Sequence, residues 1–481
     1  MCEKSGMSAL FSSWSGFGKR CALITDDVAV SYHEFRTWGD AIANGVGERA
    51  LVFLLCTNTL ASIAGYTGFL RHRAVPVMMD AALDSRLLRH LVALYCPSFF
   101  WMPEERRAEF PKAEEKFHFG GYVLLSMGEN EPFPLHDDLA LLMTTSGSTG
   151  SPKLVRQSYE NLAANTASII DYLQILAEDR AITNLPMHYV YGLSIINTYL
   201  SAGASLVVTD KTLFDRGFWQ LMREQQVTSL SGVPYTYEML RRLRFFRQDL
   251  PALRVLTQAG GKLSPKLYAQ FADWAEETGR QFVVMYGAAE ATARMGWLPP
   301  EESRQHVGAM GVAIPGGRFE LVDASGSVIE TSDVVGELVY YGPNVTLGYA
   351  ENGADLAKGD ERHGRYETGD MAVRDAEGFY TIVGRRKRFL KMFGKRTNLE
   401  EAEELLKQRF DEAELACAGR DDELWIFSTD EAALPEMKSY LAQTTGLHPT
   451  GIRTQCVEAI PRNASGKVRY QELEHFYQKT E

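Results

Sequence analysis

The run LLMTTSGSTGSPKLV, residues 141–155, sets hydroxyl and glycine residues directly after an apolar stretch. Glycine lets a backbone approach a ligand closely, and hydroxyl and N–H groups bind anions. Thr145, Ser146, Gly147, Ser148, Thr149 and Gly150 therefore read as a phosphate cradle, with a mobile Gly/Ser linker as the alternative. Lys153 follows as a point charge for phosphate, or as an exposed loop lysine. The spacing is not that of a P-loop NTPase, because Gly150 is followed by Ser151 and Pro152 and not by Lys and Ser/Thr. The cradle lies between two extended pieces, LALLMTT and KLVRQS, and so joins two strands.

Other residues with chemical potential follow along the chain. YGAAEAT holds Tyr286 and Glu290, and YETGD ends on Asp370. GRRKRFLK, residues 384–391, packs five basic residues into eight, among them Arg385 and Lys387. PRNASGK ends on Lys467 near the C-terminus. Each has a plainer role open to it: a core aromatic, a helix N-terminal glutamate, a turn aspartate, a solvated basic run and a surface lysine.

The elements that must carry these residues alternate in type. ALVFLLC, VPVMMD, RAITNLP, SLVVTD, SLSGVP, RVLTQAG and QFVVMYG read as strands separated by helical patterns. Strands separated by helices imply parallel sheets covered on both faces. After RVLTQAG, Ser264 caps a helix, Pro265 opens it, and Leu267, Phe271 and Trp274 share one face. Residues 307–383 change character: FELVDASGSVI and MAVRDAEGFYTIVG predict hairpins and a β-rich subdomain. Asn398 and Glu401 then mark the start of a helix over LEEAEELLKQRF. The fold class is α/β: a large N-terminal domain over 1–386 and a small α+β domain over 387–481, with a hinge at Lys387.

Composition narrows the function. The 481 residues carry 50 basic and 62 acidic side chains, a net charge of −12, which argues against a nucleic-acid partner. Six scattered cysteines without a CxxC pair suit reduced thiols in the cytoplasm. The N-terminus has no sustained apolar stretch of a secretory signal, and no run is long enough to span a bilayer.

Five of these segments, in order from residue 144 to 467, resemble the motifs of the AMP-forming acyl-activating superfamily, which includes acyl-CoA synthetases, luciferases and peptide-synthetase adenylation domains. The resemblance implies an ATP-dependent ligase that makes an acyl-adenylate from a small carboxylic acid. The acyl group then passes to the phosphopantetheine thiol of coenzyme A, or of an acyl carrier protein; a non-catalytic adenylate-binding paralogue is the remaining alternative. It further implies that residues 145–150 and Lys153 hold ATP phosphates, Glu290 a Mg²⁺ ion, Tyr286 the adenine, Gly260 of QAGG the adenine and acyl groove unless it is only a strand-to-helix turn, and Asp370 with Arg385 the ribose. Lys467 would touch the substrate carboxylate and the α-phosphate, and the small domain would swing about Lys387 to bring Gly394 to a thiol tunnel.

One departure stands out: Ala289 occupies a position where the superfamily usually has threonine. LPMHYVYGLSIINTYL resembles the P-x-x-H-x-x-G segment, with Tyr189 at the histidine position, His188 just before it and Gly192 at its end. With Tyr235, these residues are expected at the acyl pocket, although core packing would explain the aromatic ones nearly as well. Amino-acid-activating relatives place an aspartate here for the substrate ammonium, and this segment has none before Asp210. An acid without an α-amine is therefore expected.

Overall fold

The computed structural model describes residues 10–11, 14–128, 132–144, 153–393, 395–410, 413–463 and 467–478, without the side chains of 387, 389, 391, 395 and 396. Residues 145–150 and Gly394 lie outside the described residues.

Two large sheets form the N-terminal part. One has nine strands, and its central run is parallel: Gln281–Tyr286, Val255–Gln258, Ser229–Gly232, Arg180–Ile182, Ser205–Val207 and Cys21–Ile24. The other has eight, with Leu139–Thr144, Val75–Asp80, Leu51–Cys56 and Phe99–Pro103 parallel. Leu51–Cys56 is buried at every position, so it shows a continuous apolar run and no alternation. Leu154–Ser158 pairs antiparallel with Leu139–Thr144, so residues 145–152, which lie outside the described residues, connect two neighbouring strands.

The helices Leu60–Arg71 and Val190–Ser201 are buried almost throughout and are joined by Tyr66 Oη donating to Asn197 Oδ1 at 2.8 Å. A helix apolar all round belongs inside a large protein. The helix Pro265–Glu277 forms as expected, with Ser264 Oγ accepting from Leu267 N–H and Leu267 and Phe271 buried.

A four-stranded antiparallel sheet, Arg318–Val322, Gly336–Tyr341, Arg365–Arg374 and Tyr380–Arg385, forms the β-rich region. The hairpin expected over MAVRDAEGFYTIVG is there. That over FELVDASGSVI is reduced to one bridge, Val322 to Val328. Its turn folds as read, with Asp323 Oδ1 accepting from Ser325 and Ser327 N–H. The ladder partner is instead Gly336–Tyr341, because those residues supply the buried apolar face.

Beyond residue 387 the chain builds a separate three-stranded sheet, Leu415–Arg420, Glu423–Ser428 and Ile452–Cys456, flanked by the helices Leu399–Arg409, Leu434–Thr445 and Tyr470–Gln478. Asn398 caps the first of these by accepting from Glu400 N–H, one residue earlier than the spacing to Glu401 suggested. The apolar clusters of this segment contain only residues from 390 onward, and those of the larger part none beyond 382. Large and small lobes thus each have their own core. Among the described residues no helix is long and apolar enough to cross a membrane.

Candidate active site

The site lies at the ends of the central parallel strands, where an open α/β sheet places its ligands. After Gln281–Tyr286 the chain makes a tight reversal. A Cβ on Gly287 would stand 1.7 Å from the Ala293 carbonyl oxygen, so only glycine fits. Thr292, at φ +63°, and Asn344 fix the turn: Thr292 Oγ1 donates to Asn344 O, and Asn344 Nδ2 donates to the carbonyls of Ala291 and Arg294. This reversal presents Tyr286, Glu290 and Arg294.

Glu290 Oε1 accepts from Tyr349 Oη at 2.6 Å, and its main-chain carbonyl accepts from Thr346. Burial and the neighbouring carboxylate push the Tyr349 phenol up to about 12. Among the described residues Glu290 Oε2 has no hydrogen-bond partner, which leaves one carboxylate oxygen for a ligand. No group of three or more metal-binding side chains occurs among the described residues. A single free carboxylate oxygen suits a magnesium ion that takes its remaining ligands from phosphate and water.

Tyr286 Oη donates to Asp370 Oδ2 at 2.5 Å, and Arg385 Nε lies 3.1 Å from Asp370 Oδ1. The two ribose candidates are therefore paired, across the register that sets Asp370 opposite Arg385. Tyr286 joins them by an edge that sequence reasoning did not foresee. Arg362 lies over the rings of Tyr349 and Tyr366 at 4.7 and 5.0 Å, a cation held above the glutamate's neighbours. Lys153 Nζ is 2.6 Å from Glu351 and 5.8 Å from the Tyr349 ring, so this cation borders the same cluster.

Lys467 reaches the cluster from the small lobe. Its loop is closed by Lys467 N–H on Asn463 Oδ1 and Asn463 N–H on the Lys467 carbonyl. Its ammonium lies 5.7 Å from the Tyr189 ring, and its Cε is 3.9 Å from where a Cβ on Gly260 would be. Gly260 itself, at φ +86°, passes so close to Tyr189 that a Cβ would stand 2.8 Å from the phenol oxygen. Loss of solvent and the nearby Arg385 pull the Lys467 pKa down, with Glu290 and Asp370 acting in the opposite sense. One lysine of the tail thus feels the candidate metal and ribose carboxylates together.

Among the acyl-pocket candidates, Tyr189 is half-buried and loss of solvent pushes its phenol up to about 12, with the charge of Arg294 opposing the shift. His188 Nε2 lies 3.7 Å from Asp80 Oδ2, and burial lowers its pKa. At Gly192 a Cβ would stand 2.2 Å from the Pro186 carbonyl, so glycine lets the helix Val190–Ser201 sit against that turn. Tyr235 is overlaid by Arg462 of the small lobe at 5.6 Å. Asp80, Tyr349 and Arg294 were missed in the sequence. The signal for Arg294 was present, a lone charge in the small, apolar run ATARMGW.

The family model described as AMP-binding enzyme matches residues 10–350. An indoleacetate–CoA ligase of Aromatoleum aromaticum is 32% identical over 340 residues, covering 68% of this chain and 65% of that protein. An oxalate–CoA ligase of Arabidopsis thaliana is 24% identical over 468 residues, covering 90% of each. The structure of O-succinylbenzoate coenzyme A synthetase from Bacillus subtilis in complex with AMP superposes with a TM-score of 0.79 at 21% identity, covering 97% of this chain and 98% of that one. The chain belongs to the AMP-binding enzyme family, that is, to the adenylate-forming, acyl-CoA synthetase-like superfamily expected from its five motifs.

Proposed function

We propose that this adenylate-forming ligase activates a small carboxylic acid with ATP, releases pyrophosphate, and passes the acyl group to the thiol of coenzyme A. The observation that carries the reading is the convergence on Lys467. An ammonium from the tail lobe stands beside Tyr189 and Gly260 while the charges of Glu290, Asp370 and Arg385 act on it.

The chemistry has one electrostatic difficulty. A carboxylate must attack the α-phosphorus of a polyanion, and both reactants repel at close range. Lys467 supplies positive charge between them as negative charge moves onto the α-phosphate. Asp370 and Arg385 hold the ribose, and Tyr286, fixed by Asp370, and Gly260 border the adenine, so the phosphorus is presented in line. Glu290 Oε2 and the phosphates would hold Mg²⁺, which supplies charge neutralisation when bound. Residues 145–150 and Lys153 take the leaving phosphates. Ala289 brings no hydroxyl to the α-phosphate, so more of that work falls on Lys467.

For the second half-reaction the small lobe turns about Lys387. The reading is supported on both sides of that residue: Arg386 Nη1 binds Glu337 of the large lobe at 2.9 Å, and Arg388 Nη2 binds Glu403 of the small lobe at 2.7 Å. Rotation would withdraw Lys467 and bring the face bearing Gly394 to the acyl-adenylate. ATP–pyrophosphate exchange over a panel of acids, followed by CoA-dependent AMP release without any carrier protein, tests the reading. Exchange absent with every acid would overturn it, and AMP release that needs a carrier protein would reassign the acceptor.

A further inference from the structure

Arg294 is 3% exposed, yet no carboxylate pairs with it among the described residues. Among the described side chains its guanidinium meets the sulfur of Met285, Nε to Sδ at 3.3 Å, and the Tyr172 hydroxyl; both are neutral, and a thioether is a weak acceptor. Its Cζ lies 3.9 Å from the centre of the Tyr191 ring. Such a contact is worth about 2 kcal/mol when desolvated. Taking a cation out of water costs several kcal/mol per ion, so the protein alone leaves this charge under-compensated.

The residue is also held firmly. Its carbonyl accepts from Asn165 Nδ2 at 2.9 Å and from Asn344 Nδ2 at 2.8 Å, and the reversal that carries it admits no side chain at Gly287. A charged group this well fixed and this poorly neutralised has the form of a receptor for an anion.

Its place says which anion. Tyr191, beneath the guanidinium, lies 6.3 Å from Tyr189, and Tyr189 lies 5.7 Å from the Lys467 ammonium. Tyr191 is anchored by its hydroxyl on Thr257, at 2.8 Å, and Thr257 belongs to the strand that runs into Gly260. The two cations are thus linked through two adjoining tyrosines, Tyr191 and Tyr189.

We propose that the acid carries a second carboxylate, held by Arg294, while the first is activated at Lys467. This rests on the ligase reading above and specifies its substrate class: short aliphatic or aromatic dicarboxylic acids. The planar guanidinium accommodates a carboxylate in a bidentate fork, and no carboxylate of the described residues takes that place. The same geometry makes a positively charged substituent at that end of the substrate unfavourable.

The test compares matched pairs: glutarate against valerate, and adipate against hexanoate, in ATP–pyrophosphate exchange. The wild-type enzyme is expected to favour each diacid over its monoacid in kcat/KM. Arg294→Met is expected to cut the diacid kcat/KM about 10²-fold, mostly through KM, so that the preference collapses, because removing one partner of a buried charge pair leaves the other unpaired. Arg294→Lys should recover part of it. A merely structural arginine would lower both acids of a pair alike, and that result, or a wild-type preference for the monoacids, overturns the proposal. Binding separates this question from turnover. Calorimetry of glutarate and valerate with α,β-methylene-ATP present needs no reaction, so a protein inactive in exchange would disprove the ligase reading while glutarate binding still decides the role of Arg294. Glutarate binding that depends on Arg294 supports it, and glutarate binding no tighter than valerate overturns it.

Discussion

Arg156 and Arg294 are both buried, and the protein treats them in opposite ways. Arg156, on the strand Leu154–Ser158, pairs with Glu361 and donates to the carbonyls of Leu347, Tyr349, Lys358 and Gly359. It staples the segment 347–361 against the eight-stranded sheet. Arg294 has a sulfur, a neutral tyrosine hydroxyl and a ring face, and no carboxylate among the described residues. One guanidinium finds its partners in its own chain, and the other is left ready for partners from outside. Burial of a charge therefore says little by itself; the list of acceptors separates a staple from a receptor.

The sharpest way to break this contrast is stability. Arg156→Met should cost about 3–5 kcal/mol, because it breaks the buried pair with Glu361 and removes a donor from each of four carbonyls. Arg294→Met, which strands no carboxylate, should lie within about 1 kcal/mol of wild type or above it. Denaturant unfolding of the two variants checks both, and equal losses would erase the distinction.

Lys467 extends the receptor class to the tail lobe, since its ammonium forms no ion pair with a described residue. Lys467→Ala should lower adenylation about 10²–10³-fold, the usual cost of losing a transition-state donor. Thioester formation from supplied acyl-adenylate should survive, and single-turnover assays of the two steps read the difference.

The same ammonium predicts a pH effect. The cation is the working form, and its pKa in the folded protein lies below the ordinary lysine value of 10.5. Charge is therefore lost earlier as pH rises, and the exchange rate should fall on the alkaline side before a free lysine would titrate. A rate that stays level up to 10.5 would contradict this.

The smallest effect belongs to an exposed pair. Lys262 Nζ and Glu404 Oε1 lie 3.1 Å apart across the two lobes, both well wetted. Lys262→Ala should change lobe closure by a fraction of a kcal/mol, since solvent screens such pairs. A double-mutant cycle on exchange kinetics measures it, and a coupling as large as that at Arg156 would show that exposed and buried pairs do not differ here.

Much of the frame could be read from the residues. The apolar runs gave the parallel strands because central strands are buried on both faces, and VPVMMD matches its strand end to end. Ser264 and Pro265 marked a real helix start. What stayed hidden depends on contacts distant in the chain. Arg294 is unremarkable until Tyr191, 103 positions away by number, is seen beneath it. Asp80 looks like a strand end until His188 lies beside it. The missing arm of FELVDASGSVI was a local reading overruled by the burial that Gly336–Tyr341 offered.

The anchors at Arg386 and Arg388 leave a single residue between them. A joint that short has no slack. In the proposed swing about Lys387, torsion there would not dissipate into a linker but would be delivered whole to the arm that ends at Lys467, making the lobes a crank and not a tether. Lengthening the joint by even one glycine should uncouple the two half-reactions while leaving each lobe intact.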